Sequence, residues 1–385
     1  MTPHKRFPAT WLSRHDIGKP QGVLFLLWIL LNAFFFLHRG IYLEGESAKY
    51  IYQGQHLLDT GAPESANFWL YSVQIALVAC CLKLHLSFYP IIVIQLLFNG
   101  IATAFFYKTL EFLFAKKRIA VVGTLLLLGN YFYQEFNTFL YTESLFYSFT
   151  LLLSCYLLHI QHPTIKRSAI VIGMLAIICI TRPTGLLYIP PVLLYFFFVF
   201  FRKLSPPKKL ALFTLLGIAF LLLLDTALGS GGELDLILPF RDENIICGVP
   251  TLSPPTDTGN PTSHNSLLGL LQYILHHFPQ FLRLALLKTR AFFGLYRDYY
   301  STGHNLYLMA YFYPLFLLAL ISIGWWRKNQ PYPFFYFISI IGLTWLTVIL
   351  TCDDWHNRFY LDISPFLIIL AMPAFFRRNL RSNTR

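Results

Sequence analysis

The chain is short of charge. Asp, Glu, Lys and Arg make up 12% of its 385 residues, about half the share found in soluble domains, which excludes an ordinary water-exposed surface. Its six cysteines show no spacing of a zinc site. No Walker-type glycine loop, dinucleotide fingerprint or serine elbow is present, so soluble nucleotide chemistry has no seat. Acids are scarcer than bases, 18 against 30, and the net charge is +12.

What the chain has instead is hydrocarbon: 56% of residues are hydrophobic and the mean hydropathy is +0.55. A membrane span needs about 20 mostly apolar residues to cross about 30 Å. The first apolar run, Val23 to Leu37, follows a polar leader with Lys5, Arg6, Arg14 and Lys19 and precedes no small-residue cleavage motif, so it reads as a retained helix. Further runs cover 90–113, 119–136, 142–160, 167–181, 185–201, 209–228, 304–324, 332–351 and 360–376, and one more, 68–86, is ambiguous.

Positive side chains gather on cytoplasmic loops, and each span flips the side of the next loop. If 68–86 does not cross, the leader, Lys116 to Arg118, Lys166-Arg167, Arg202-Lys203 with Lys208-Lys209, Arg327-Lys328 and the arginine-rich tail all fall inside, and nearly all acids fall outside. If it crosses, every later loop inverts. The sequence therefore predicts an all-α polytopic membrane protein of about ten spans, with 68–86 as an interfacial helix and both termini in the cytoplasm.

Two outer segments are long enough to carry chemistry, 38–89 and 229–303. The second opens Gly229-Ser-Gly-Gly-Glu233, runs through a Pro/Thr/Ser/Gly-rich stretch from Pro250 to Ser266, and has no period before Leu267. From Pro279 it reads as an amphipathic helix in which Arg283, Arg290 and Arg297 recur every seven residues on nearly one face. Such a helix lies in the interface, its basic side toward bulk headgroups or toward the phosphate of a bound lipid. Cys247 and Cys352 both fall outside and are able to pair; Cys80, Cys81, Cys155 and Cys179 fall in apolar segments and read as small hydrophobes.

The remaining polar residues stand at outer helix ends. Glu44 and Glu46 follow the first span, Glu143 starts the span at 142–160, Arg182 lies in the shortest outer turn, and Asp353, Asp354, His356 and Arg358 fill the last one. Singly, such residues snorkel to headgroups or complement a helix dipole. Together on one face, they suggest a site.

The set resembles the GT-C class of integral membrane glycosyltransferases, near the dolichyl-phosphate-mannose and undecaprenyl-phosphate-aminoarabinose transferase branch. The resemblance runs in order through Glu46-Ser-Ala-Lys-Tyr50 with Gln53 to Gly61, Tyr71 to Leu86, Tyr141-Thr-Glu-Ser-Leu-Phe146, Thr181-Arg-Pro-Thr-Gly-Leu186, Phe278 to Arg283 and Asn357 to Pro365. Glu44-Gly45-Glu46 stands where the family often has an Asp-Glu pair, and Phe359 stands where a Tyr is usual. No large soluble domain follows, as in the smaller bacterial-type members, which implies the bacterial inner membrane.

The resemblance implies transfer of a sugar from a polyprenyl-phosphate donor to a lipid, glycan or protein acceptor on the outer face. Glu46, with Glu44 second, would deprotonate or orient the acceptor hydroxyl. Arg182, Arg290 and Arg358 would meet the leaving phosphate, with Arg283, Glu143 and His356 also in the substrate site. Two nearby carboxylates leave a divalent metal possible, though no third ligand is evident. The excess positive charge reports topology, with no nucleic-acid partner implied. A transporter or flippase of lipid-linked sugars is the rival, and it would place ionisable groups at mid-membrane; in sequence they gather at span ends. A polymerase or ligase would share the donor and differ in acceptor.

Overall fold

The computed structural model describes residues 19–160, 162, 164–200, 205–229, 238–247, 249 and 266–376. Most of the polar leader, Arg202-Lys203, the stretch after Gly229 up to residue 237, nearly all of Pro250 to Ser266 and the arginine-rich tail lie outside these residues. Every regular element among them is helical. Among the described residues six helices are long and apolar enough to cross a membrane: Pro20–Arg39, Ala66–Lys83, Tyr89–Phe114, Thr302–Asn329, Pro331–Leu350 and Trp355–Phe375.

In chain order the helices are α1 (Lys19–Arg39), α2 (Ser47–Thr60), α3 (Ser72–Lys83), α4 (Tyr89–Phe114), α5 (Lys117–Gly129), α6 (Tyr131–Glu135), α7 (Glu143–His159), α8 (Ile165–Cys179), α9 (Ile189–Phe200), α10 (Pro206–Gly229), α11 (Leu238–Arg241), α12 (Leu267–His276), α13 (Phe278–Gly294), α14 (Thr302–Asn329), α15 (Pro331–Leu350) and α16 (Arg358–Phe375). The run read at 119–136 is broken. Its helix ends at Gly129, and the Asn130 side chain caps α6 by accepting from the Tyr133 amide.

α16 is the axis of the bundle. It is mostly apolar and buried from Tyr360 to Pro373, with Asp362 and Ser364 as its polar residues there, the pattern of a helix enclosed by others. Pro365 donates no hydrogen bond to Leu361, and the Ser364 hydroxyl takes over that carbonyl at 2.7 Å. α14 lies alongside, its Trp326 indole donating to the Leu370 carbonyl at 2.9 Å and its Ser322 hydroxyl accepting from the Ala374 amide.

One end of the bundle is stitched by polar contacts. In the loop after α6, the Thr138 carbonyl accepts from the Tyr42 amide and the Leu140 amide donates to the Tyr42 carbonyl, and Gln95, early in α4, donates to the carbonyls of Phe139 and Tyr141 at 3.1 and 3.0 Å. The end of α1 and the start of α4 therefore meet the same loop. Residues 43–88 leave and return at one end, although Ala66–Lys83 alone has the length and hydropathy of a span. Within this excursion α2 stops at Gly61, which takes φ +79° and whose amide bonds the Leu57 carbonyl. α2 and α3 then pack around Tyr50, Ile75, Val78 and Cys81.

Candidate functional site

The stitched end gathers ionised side chains from four separate segments. Arg182, just after α8, donates to Glu143 at 2.6 Å and to Asp354 at 2.5 Å. Arg358, the first residue of α16, donates to Glu143 at 2.9 Å, to Glu46 at 2.6 Å and, more closely, to Asp354. Lys49, one turn after Glu46, stands 3.8 Å from it, and the Tyr50 hydroxyl donates to it at 3.3 Å. Three carboxylates thus face two guanidinium groups and one ammonium group. The six charges balance, as burial of ions requires.

Exposure within this network is uneven. The side chains of Glu143, Asp354, Arg182 and Arg358 are at most 10% exposed, whereas that of Glu46 is 33% exposed. Glu46 is the open edge of a closed cluster. Burial opposes its ionisation, but Arg358, Lys49 and Arg182 overcome that and hold its carboxyl at about 2. Burial likewise works against the charge of Arg182, and Glu143 and Asp354 more than restore it, so its pKa is raised.

Gly45 makes the approach possible. It adopts φ +61°, and a Cβ there would stand 2.3 Å from the Tyr141 hydroxyl. That hydroxyl donates to the Glu44 carbonyl at 3.0 Å and accepts from the Glu46 amide at 3.1 Å. The turn is pinned from beneath, and Glu46 is aimed at Arg358.

A second ionic layer supports the first. Arg297, buried, pairs with buried Asp353, and burial pushes the Asp353 carboxyl up to about 6 against the attraction of Arg297. Cys247 and Cys352 form a disulfide. Beside it, Asp353 accepts from the Cys247 amide and donates to the Ile245 carbonyl through its backbone, both at 2.8 Å. Lys288 is buried on α13 with its amine at the Thr351 carbonyl and 4.1 Å from the centroid of the Phe240 ring; burial lowers its pKa to about 7.

Of the residues expected in the site, the structure brings together Glu46, Glu143, Arg182 and Arg358. Glu44 is exposed at the rim. His356 is exposed two residues from Arg358, at φ +57°. Arg283 stands apart, paired with Glu243. Arg290 is exposed on α13 and takes no part in the cluster. Arg297 does not share a face with them, because α13 ends at Gly294 and Leu295 turns the chain at φ +60°.

Lys49 and the pairing roles of Asp353 and Asp354 were not anticipated. Lys49 lies three residues after Glu46 and Asp354 four residues before Arg358, both spacings at which helical side chains meet. Asp362 was also missed. It is buried one turn inside Arg358, accepting from Tyr188 at 2.8 Å and Thr150 at 3.1 Å. Among the described residues no group of three or more His, Cys, Asp or Glu is placed to hold a metal ion.

Fold and site together define a helical membrane protein with a charged cluster at one end of its bundle. No family model, curated protein or solved structure matches the chain.

Proposed function

We propose that the chain is an integral membrane glycosyltransferase that moves a sugar from a polyprenyl-phosphate donor to an acceptor on the outer face. In this reading it has ten spans and a GT-C-like fold in the bacterial inner membrane, both termini lie in the cytoplasm, and 66–83 is interfacial. The return of 43–88 to the end it left supports that count. So does the meeting of Glu46, Glu143, Arg182, Asp354 and Arg358, since alternation puts all five on one side.

The observation that carries the reading is the half-open Glu46 at the edge of an otherwise buried ionic cluster. In the reaction the bond from the anomeric carbon to the donor phosphate breaks and a bond to the acceptor oxygen forms. Positive charge grows on the sugar and negative charge on the departing phosphate. A carboxyl held at about 2 is a weak proton acceptor, because general bases work best near ambient pH. Glu46 therefore serves chiefly by accepting the hydrogen bond of the acceptor hydroxyl and by facing the developing cation. The hydroxyl's proton passes to the departing phosphate monoester, whose second pKa of about 6 makes it the stronger base. Lys49 is the cation nearest the opening and meets the phosphate; Arg182 and Arg358, already engaged by carboxylates, hold Glu46 in place.

Glu46→Gln keeps the side chain's shape and removes its charge. Given labelled polyprenyl-phosphate sugars and membrane extract as acceptor, the purified variant should lose transfer by about 10²–10³-fold while melting within a few degrees of the wild type. Undiminished turnover in a folded variant would remove Glu46 from the mechanism. The carrier reading would draw on Asp362, buried inside α16. Inside-out vesicles separate the two, because only an enzyme leaves a new glycosidic bond.

A further inference from the structure

Beside the charged cluster lies an aromatic surface that the proposed chemistry does not use. Trp355 and Tyr299 are 41% and 46% exposed, their rings 5.6 Å apart. Tyr299 abuts Tyr300, which lies parallel to His356 at 6.2 Å and to His304 at 3.9 Å. Phe132 closes the far side of His304 at 3.9 Å. Asp298, exposed, precedes the two tyrosines.

Rings at a membrane surface often form a belt of separate anchors on helix ends. This surface is built differently, because its two loops are fixed to each other from below. The buried Arg297 to Asp353 pair joins them. The Asn357 amide donates to the Leu295 carbonyl at 3.2 Å, and Asn305 bonds both the amide and the carbonyl of Arg297 at 3.1 and 2.9 Å. His356 and Asn357 also hold left-handed backbone in succession, φ +57° and +55°, a conformation costly for a non-glycine residue and kept only where the surroundings impose it. The strained turn sets Trp355 and His356 between Asp354 and Arg358, two members of the ionic cluster.

We propose that this surface is a sugar-binding shelf, on which Trp355 and Tyr299 stack against the C–H face of a saccharide ring and His356 and Asp298 bond its hydroxyl edge. A sugar ring is apolar on its faces and polar around its rim, the combination that exposed aromatic faces bordered by an imidazole and a carboxylate accommodate. The ring comes either from a glycan acceptor or from the donor's own sugar. The assignment rests on the transferase reading for its choice of ligand, but binding is measured without turnover.

The full-length protein in a sugar-free zwitterionic detergent is mixed with the methyl glycosides of glucose, galactose, mannose and N-acetylglucosamine, and magnetisation transfer from protein to sugar protons is recorded. At least one glycoside should be saturated. Trp355→Ala and Tyr299→Ala should each weaken that binding about fivefold or more, while Trp355→Phe retains most of it. No transfer in the wild type, or equal transfer in the folded alanine variants, overturns the shelf. So does strong quenching of Trp355 fluorescence, relative to Trp355→Phe, in vesicles of acyl-brominated phosphatidylcholine, which would place the ring among lipid tails. Methyl glycosides competing with labelled donor identify the donor's sugar as the source; binding additive with donor identifies the acceptor. Bound sugar without any glycosidic product leaves the shelf standing and removes the transferase.

Discussion

Lys288 shows how a single side chain can be set against its own charge. Its amine is enclosed at the C-terminus of α15, against a carbonyl and a ring face, and is held at about 7 rather than the ordinary 10.5. The folded state therefore binds that proton less readily than the unfolded chain does. The resulting penalty is complete below about 7, shrinks as pH rises, and vanishes above the unfolded value. Lys288→Met should accordingly raise the melting temperature at pH 6, by an amount corresponding to about 1–4 kcal/mol, and the gain should disappear near pH 11. Thermal melts of the detergent-solubilised variant at the two pH values check both. An equal gain at both would mean that volume, and not charge, sets the effect. Nothing in the local sequence distinguishes Lys288 from a lysine that snorkels, since its enclosure is made by Phe240 and Thr351 from distant segments.

At the scale of elements, hydropathy located the helices well because it follows burial in hydrocarbon, and most expected runs match their helices to within a few residues. It failed where a helix stopped inside an apolar stretch. Asn130 breaks the run at 119–136 and Leu295 ends α13 before Arg297, and neither turn interrupts the hydrophobicity. The heptad spacing of the arginines was real in sequence, but the helix needed to align them was one turn too short. Site acids and arginines were legible as costly residues at helix ends; their mutual pairing was not, because partners such as Arg182 and Asp354 are 172 residues apart. The disulfide was legible only as an option. It closes a loop across 105 residues, so reducing it, or making Cys247→Ser with Cys352→Ser, should cost about 3–5 kcal/mol of stability. A melt with and without reductant tests this, and an unchanged midpoint would show that the backbone bonds around Asp353 suffice to hold the loop.

For the whole molecule, the ten-span reading requires the Lys116 to Arg118 turn to face the cytoplasm. A single cysteine replacing Lys117, in a background lacking the exposed Cys80, should be shielded from membrane-impermeant maleimides in intact cells and labelled after permeabilisation. Labelling in intact cells would invert every loop after 66–83. The cluster itself spans nearly the full length of the chain, with Glu46 and Arg358 312 residues apart. During synthesis Glu46, Glu143 and Arg182 reach the membrane long before Asp354 and Arg358 exist. Until the last helix inserts, Glu46 with Lys49 and Glu143 with Arg182 are two ion pairs without the Asp354 and Arg358 bonds that join them, and the central axis of the bundle is missing. The final helix is thus a completion signal: a nascent chain truncated before it has neither a core nor a joined site, and two separate ion pairs in place of one network mark it as unfinished.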